Sequence, residues 1–277
     1  MRKLFWSLPG WTLTITLAAL GFDTPEKPQL EAGFNLMYQL RFDDARGEIR
    51  TFEKEHPADP LGPAAEAASY LFEEFNHQGI LTSSFFLDDD KLLGGIAGTA
   101  DDKHKTSFLE NNRRARLMAE RRLGTEPRDP DGLLVLTLAD GMEGDYEALI
   151  ARQPLASLRL IRKAEVEATR LLAVQPNAGD AYVALGAANY IIGCLPVYKR
   201  VLLWFGGYHG DRQRGMEQLQ QAADHGHYLQ PLAKALLALV AEREHQNDRA
   251  RALFADLNRQ FPQNSVFARE LALLDKR

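Results

Sequence analysis

The chain has a single cysteine, Cys194, among its 277 residues. No intramolecular disulfide can form, so packing alone must stabilise the fold. Runs of Val, Ile and Thr are scarce while Leu and Ala are frequent, which disfavours sheet and favours helix. The sequence has no GxSxG, HExxH or CxxC motif. Gly94–Gly98 does not open a phosphate loop: Lys103 follows Asp102 rather than Gly, and Asp101 and Asp102 would repel phosphate. No excess of positive charge exists either. The net charge is −5, and removal of Arg2 and Lys3 would make it more negative, so the overall charge draws this chain neither to nucleic acid nor to anionic lipid. What is present is ordinary for a folded protein: 45% hydrophobic and 26% charged residues.

The N-terminus carries a long uncharged run. Arg2 and Lys3 precede an apolar stretch, Leu4 to Phe22, and polar sequence begins at Asp23. This layout predicts a secretory signal over 1–21, with Ala19 and Gly21 as the small residues before the cut. The rival is an uncleaved anchor, since the run approaches the ~20 residues that span a bilayer. Pro9 and Gly10 make it a poor permanent span. No Cys follows the run, which excludes a lipid anchor there. The expected location is therefore periplasmic or secreted, with a membrane-anchored form as the alternative.

The remainder, 22–277, reads as one domain of amphipathic helical runs, each closed by proline. Residues 31–60 show a helical run, a break at Arg41–Asp43, and a second run in which Phe42, Ala45, Ile49 and Phe52 form one stripe. Pro57, Pro127, Pro130, Pro176 and Pro262 each follow such a stretch and stop it. Helices are expected near 29–40, 42–56, 61–76, 106–123, 131–143, 146–174 (interrupted at Pro154), 179–193, 211–224, 228–244, 247–260 and 265–276. Helix pairs of about 34 residues with small residues at the crossings and a terminal proline resemble tetratricopeptide repeats. The units at about 24–57 and 227–262 match best, Gly33, Ala45 and Pro57 being paralleled by Ala238, Ala250 and Pro262. The resemblance implies an all-α solenoid of antiparallel helix pairs with a C-terminal capping helix. The longer proline spacings in the middle imply insertions within the pairs, at about 77–105 and 194–210.

The resemblance also implies a concave groove lined by the first helix of each pair, which would receive a protein or peptide. Carried onto this chain, the groove residues are Phe34, Tyr38, Tyr70, Glu73, Tyr190, Leu239, Glu242 and Arg243. Phe34 and Leu239 fit a core position equally well. The groove lacks the Lys, Arg and Asn set that clamps a C-terminal carboxylate. The second insertion is apolar and aromatic, and Tyr198, Trp204, Phe205 and Tyr208 are its candidate contacts. Both insertions either plug gaps in the solenoid or bind, and a membrane-proximal role through 1–21 or 193–210, or self-association, follows from the second. Asp88–Asp90 lacks the alternating spacing of a calcium loop and fits a helix cap. His225 and His227 flank Gly226 without a third ligand, and Arg113, Arg114, Arg116, Arg121 and Arg122 interleave with acids. No catalytic residue, metal or cofactor is expected; an enzyme built on Asp88–Asp90, His209 and Asp211 is the remote alternative.

Overall fold

The structure, a computed structural model, describes residues 27–96 and 98–276. The expected signal or anchor at 1–21 lies outside them. All described regular structure is helical. Five antiparallel pairs follow one another: α1 (Pro28–Tyr38) with α2 (Phe42–Glu55), α3 (Leu61–Gln78) with α6 (Asp102–Thr125), and α7 (Pro130–Leu149) with α8 (Pro154–Val174). Next come α9 (Ala181–Cys194) with α11 (Arg212–His225), then α12 (Gln230–Arg243) with α13 (Asn247–Gln260). α14 (Ser265–Leu274) covers α13. Each pair also packs on the next, which is the solenoid the repeats imply.

Local chemistry sets the boundaries. Asp101, Asp129, Asp211 and Asn264 cap α6, α7, α11 and α14, each accepting a backbone N–H two or three residues on. Proline opens α7 and α8 at a position where a missing N–H costs nothing. The interruption expected at Pro154 separates two helices, but the residues before it belong to the preceding one: α7 runs on to Leu149, and α8 begins at Pro154. In the three pairs without insertions, Leu40, Arg152 and His245 take left-handed backbone (φ 61°, 57° and 60°) and reverse the chain.

Small residues let the pairs close. A Cβ on Gly215 would lie 2.8 Å from the Gly186 carbonyl oxygen, so α9 and α11 meet backbone to backbone. Against these contacts the apolar stripes bury Ile49, Phe52, Phe108, Phe254 and Leu257 almost completely, each worth about 1.5–3 kcal/mol.

The two ends of the array also meet. The Tyr38 ring of α1 packs at a tilt on Phe261, 5.5 Å between ring centroids, and its Oη donates to the Tyr228 carbonyl at 2.9 Å. Phe34 stacks on Tyr228 at 5.0 Å, and Asn264 Nδ2 donates to the Tyr38 carbonyl at 2.8 Å. The first insertion thickens this seam. Its short helices, α4 (Ser83–Phe86) and α5 (Asp89–Gly94), bury Phe85, Phe86 and Leu92. Ser83 Oγ reaches buried Glu270 of α14 at 2.5 Å. The solenoid is thereby closed from first pair to last helix.

Candidate functional site

Closure changes the standing of the expected groove. Phe34, Tyr38, Tyr70, Tyr190, Leu239 and Glu242 are all buried. Tyr190 Oη donates to Glu244 at 2.8 Å, and Tyr70 lies under the Arg46 guanidinium at 4.5 Å. Glu73 binds Arg46 at 2.7 Å, while Arg243 donates to the Phe86 carbonyl at 2.8 Å and pairs with Asp89. These side chains are thus packed or paired within the molecule rather than presented on an open groove, and Phe34 and Leu239 take the core position that was their alternative. The first insertion and the C-terminal helices pack against several of them, and intramolecular partners bind the polar groups. Burial works against charge on Arg46, but its hydrogen bonds to Asp43 and Glu73 hold the guanidinium above its ordinary pKa. Burial, helped by nearby Cys194 and Glu244, pushes the Tyr190 hydroxyl well up.

The two insertions behave oppositely. The first plugs the seam. The second projects. Its helix α10 (Val197–Phe205) contains no buried residue. Leu202 and Phe205 are 73% and 78% exposed, and Val197, Tyr198, Val201 and Trp204 are exposed with them. At about 100° per residue, these six side chains occupy an arc of about 160°. Lys199 and Arg200 lie about 60° and 40° beyond its two edges, and Leu203 lies opposite. Trp204 meets Phe205 and His209 edge-on, at 5.4 and 6.3 Å; Tyr208 is half-buried. Beneath the helix, a cleft of about 580 Å³ is lined by Asp89, Asp90, Cys194, Lys199, Arg200 and Arg212.

The remaining candidates have local duties. Asp88 caps α5 through the N–H groups of Asp90 and Lys91, and Asp211 caps α11. Arg114, Arg116 and Arg122 pair with carboxylates of α2, α7 and the turn before α7. His227 faces Glu31 at 3.1 Å and shares no ligand cluster with His225 among the described residues. Two features were missed in the sequence. Asp180 is buried and accepts the backbone N–H groups of His227, Tyr228 and Leu229 at 2.8, 3.0 and 3.0 Å. Glu74, His77 and His104 bring ligand atoms within 4.8 Å of one another. Glu74 and His77 were visible at helical spacing, but His104 joins them only because the insertion returns to its own root.

Over residues 178–274 the sequence matches the model of the family described as Iml2/Tetratricopeptide repeat protein 39. Over that stretch the chain is similar to tetratricopeptide-type repeat proteins. The matched segment, about a third of the chain, spans α9 to α14 and so includes the second insertion of this repeat array. The chain also aligns with the crystal structure of a thermophilic TPR protein in Thermus thermophilus, at 17% identity and a TM-score of 0.47. That alignment covers 90% of this chain and 98% of the other, and at such distance carries no argument about function. No curated protein matches the sequence.

Proposed function

We propose that the chain is a non-enzymatic scaffold of the cell envelope that docks on an anionic membrane surface through α10. The tetratricopeptide-type fold suggests a protein-interaction scaffold in the broad sense, and folds of this type are generally not enzymes. The finer reading rests on one observation: α10 turns a wide apolar arc outward with none of the described residues covering it. A soluble surface rarely leaves such a patch without use. The arc combines Leu202 and Phe205 with Trp204 and Tyr198, aromatic rings suited to the headgroup boundary. Lys199 and Arg200 beyond its edges match anionic headgroups, their stems lying along the bilayer while their charges reach water.

None of the described helices is long and apolar enough to cross a membrane. The geometry suits a helix lying in the interface. Each fully inserted Leu, Trp or Phe contributes about 1.5–3 kcal/mol, so contact through so short a helix is reversible. The basic-then-apolar start of the sequence supports export, and a retained N-terminus would hold the body at the same surface.

Trp204 makes the test direct, because the other two tryptophans, Trp6 and Trp11, lie within the expected signal. A chain beginning at Phe22 keeps every described helix and has Trp204 as its sole tryptophan. Phosphatidylcholine vesicles containing phosphatidylglycerol should shift its emission to the blue and float the protein, with weaker binding at high salt. The L202E/F205E variant should lose both signals. An unshifted emission, or undiminished binding by the variant, refutes the reading. A blue shift that instead follows protein concentration, with a dimer by light scattering, would assign α10 to a second copy.

A further inference from the structure

We propose that Glu74, His77 and His104 form a site for a divalent transition-metal ion of the zinc type, at the root of the first insertion. Glu74 and His77 lie three apart near the end of α3 and share a face. His104 arrives from the first turn of α6, and the three ligand atoms fall within 4.8 Å of one another.

Three details carry the assignment beyond proximity. The first is the setting of His104. Its Nδ1 lies 3.2 Å from Glu74 Oε2, and its Nε2 lies 3.4 Å from Glu73 Oε2. With an ion shared between Nδ1 and Glu74, the Nε2–H donates to Glu73, the carboxylate–histidine–metal arrangement that fixes tautomer and ring direction. Glu73 is itself held by buried Arg46 at 2.7 Å. The second is the orientation of Glu74, which is buried. Its Oε1 accepts from Gln78 Nε2 at 2.8 Å, leaving Oε2 towards His104, with the Asp101 N–H at 3.4 Å. The third is spacing. Bonds of about 2.0–2.1 Å at tetrahedral angles place ligand atoms roughly 3.3 Å apart, which the Glu74–His104 pair already matches. Exposed His77, its ring 5.5 Å from that of His104, closes the set by a side-chain rotation.

Two imidazoles and one carboxylate suit zinc, cobalt, nickel or copper rather than magnesium or calcium. A fourth position remains on the solvent side for water. The ion would join the end of α3 to the start of α6 and so clasp the loop between them. Without an ion, His104 simply bridges two glutamates, and that is the outcome that overturns the proposal.

The test uses tag-free, chelator-treated full-length chain in equilibrium dialysis against Zn²⁺, with Co²⁺ absorption as a probe of geometry. One ion per chain, tetrahedral cobalt bands and a Tm rise of about 5–11 °C at a hundredfold excess over Kd are expected. His77→Ala, at an exposed position, should fold normally, bind at least tenfold more weakly and lose the cobalt bands. Glu73→Gln should weaken binding about 10–100-fold through the orientation of His104. His225→Ala should change nothing. Less than one ion per chain, or a His77→Ala variant that binds like the parent, refutes the site.

Discussion

Replacing Asp180 tests the closure of the array, because one carboxylate holds the turn on which that closure rests. Its Oδ1 accepts from His227 and Leu229, and its Oδ2 from Tyr228. Burial pushes the carboxyl up in pKa, while the three donors pull it the other way. Tyr228 then supplies the carbonyl that receives Tyr38 Oη and the ring that receives Phe34. Asp180→Ala leaves three N–H groups without this acceptor. Tyr228 and Leu229 are buried, whereas His227 is exposed and can turn to water. At about 1–3 kcal/mol for each buried orphan donor, and with some cost recovered by removing a buried charge, a loss of roughly 3 kcal/mol is expected. For a chain of this size that lowers Tm by about 6–12 °C. Asp180→Asn keeps one acceptor oxygen and should lose about half as much. Thermal unfolding by circular dichroism reads the stability, and hydrogen exchange should show the Tyr228 and Leu229 amides among the most accelerated. An Asp180→Ala variant within about 0.5 kcal/mol of the parent, with those amides still protected, would refute the argument.

Gly179→Ala should be worse, because the new Cβ would sit 2.2 Å from the His225 carbonyl group, backbone that cannot step aside. Poor soluble yield, or a Tm drop of more than about 6 °C, is expected in a melting assay. Ser83→Ala removes the hydroxyl that binds buried Glu270 and should cost about 1–3 kcal/mol, measured by urea unfolding with an unchanged m-value. The L202E/F205E change in α10, whose side chains touch almost nothing, should shift stability by no more than about 0.5 kcal/mol, so its loss of vesicle binding would not reflect misfolding.

Much of the fold was legible because helical pairing is a local property. The stripe of Ala45, Ile49 and Phe52 in α2 and its counterpart Ala250, Phe254 and Leu257 in α13 declare their buried faces by spacing. Pro57, Pro176 and Pro262 mark the ends of units, and Gly33 marks a crossing, its Cβ position lying 2.7 Å from Ile49. The excess length between prolines located both insertions inside their pairs. The candidate site was much less legible. Tyr198, Trp204 and Phe205 were visible as an aromatic cluster, but composition could not separate a plug from a platform: Phe85 and Phe86 look equally apolar and are buried. The ambiguity over Phe34, Tyr38 and Tyr190 has the same origin, since an aromatic residue on a first helix suits a groove and a core alike.

By itself, then, the sequence determined the helices, their breaks, their pairing and the places where the chain departs from the repeat, all of which depend on residues close along the chain. The tertiary structure decided whether the array stays open. That depends on small rotations between successive pairs, which add up over the whole solenoid until α1 meets the turns flanking α12 and α13. Where the ends meet, the inner wall becomes core; between neighbouring pairs Asp180 gains three backbone donors 47 to 49 residues away, and within the α3/α6 pair His104 comes back to Glu74. Of the large apolar side chains that the repeats do not need, those of α10 remain outside the closure and face solvent.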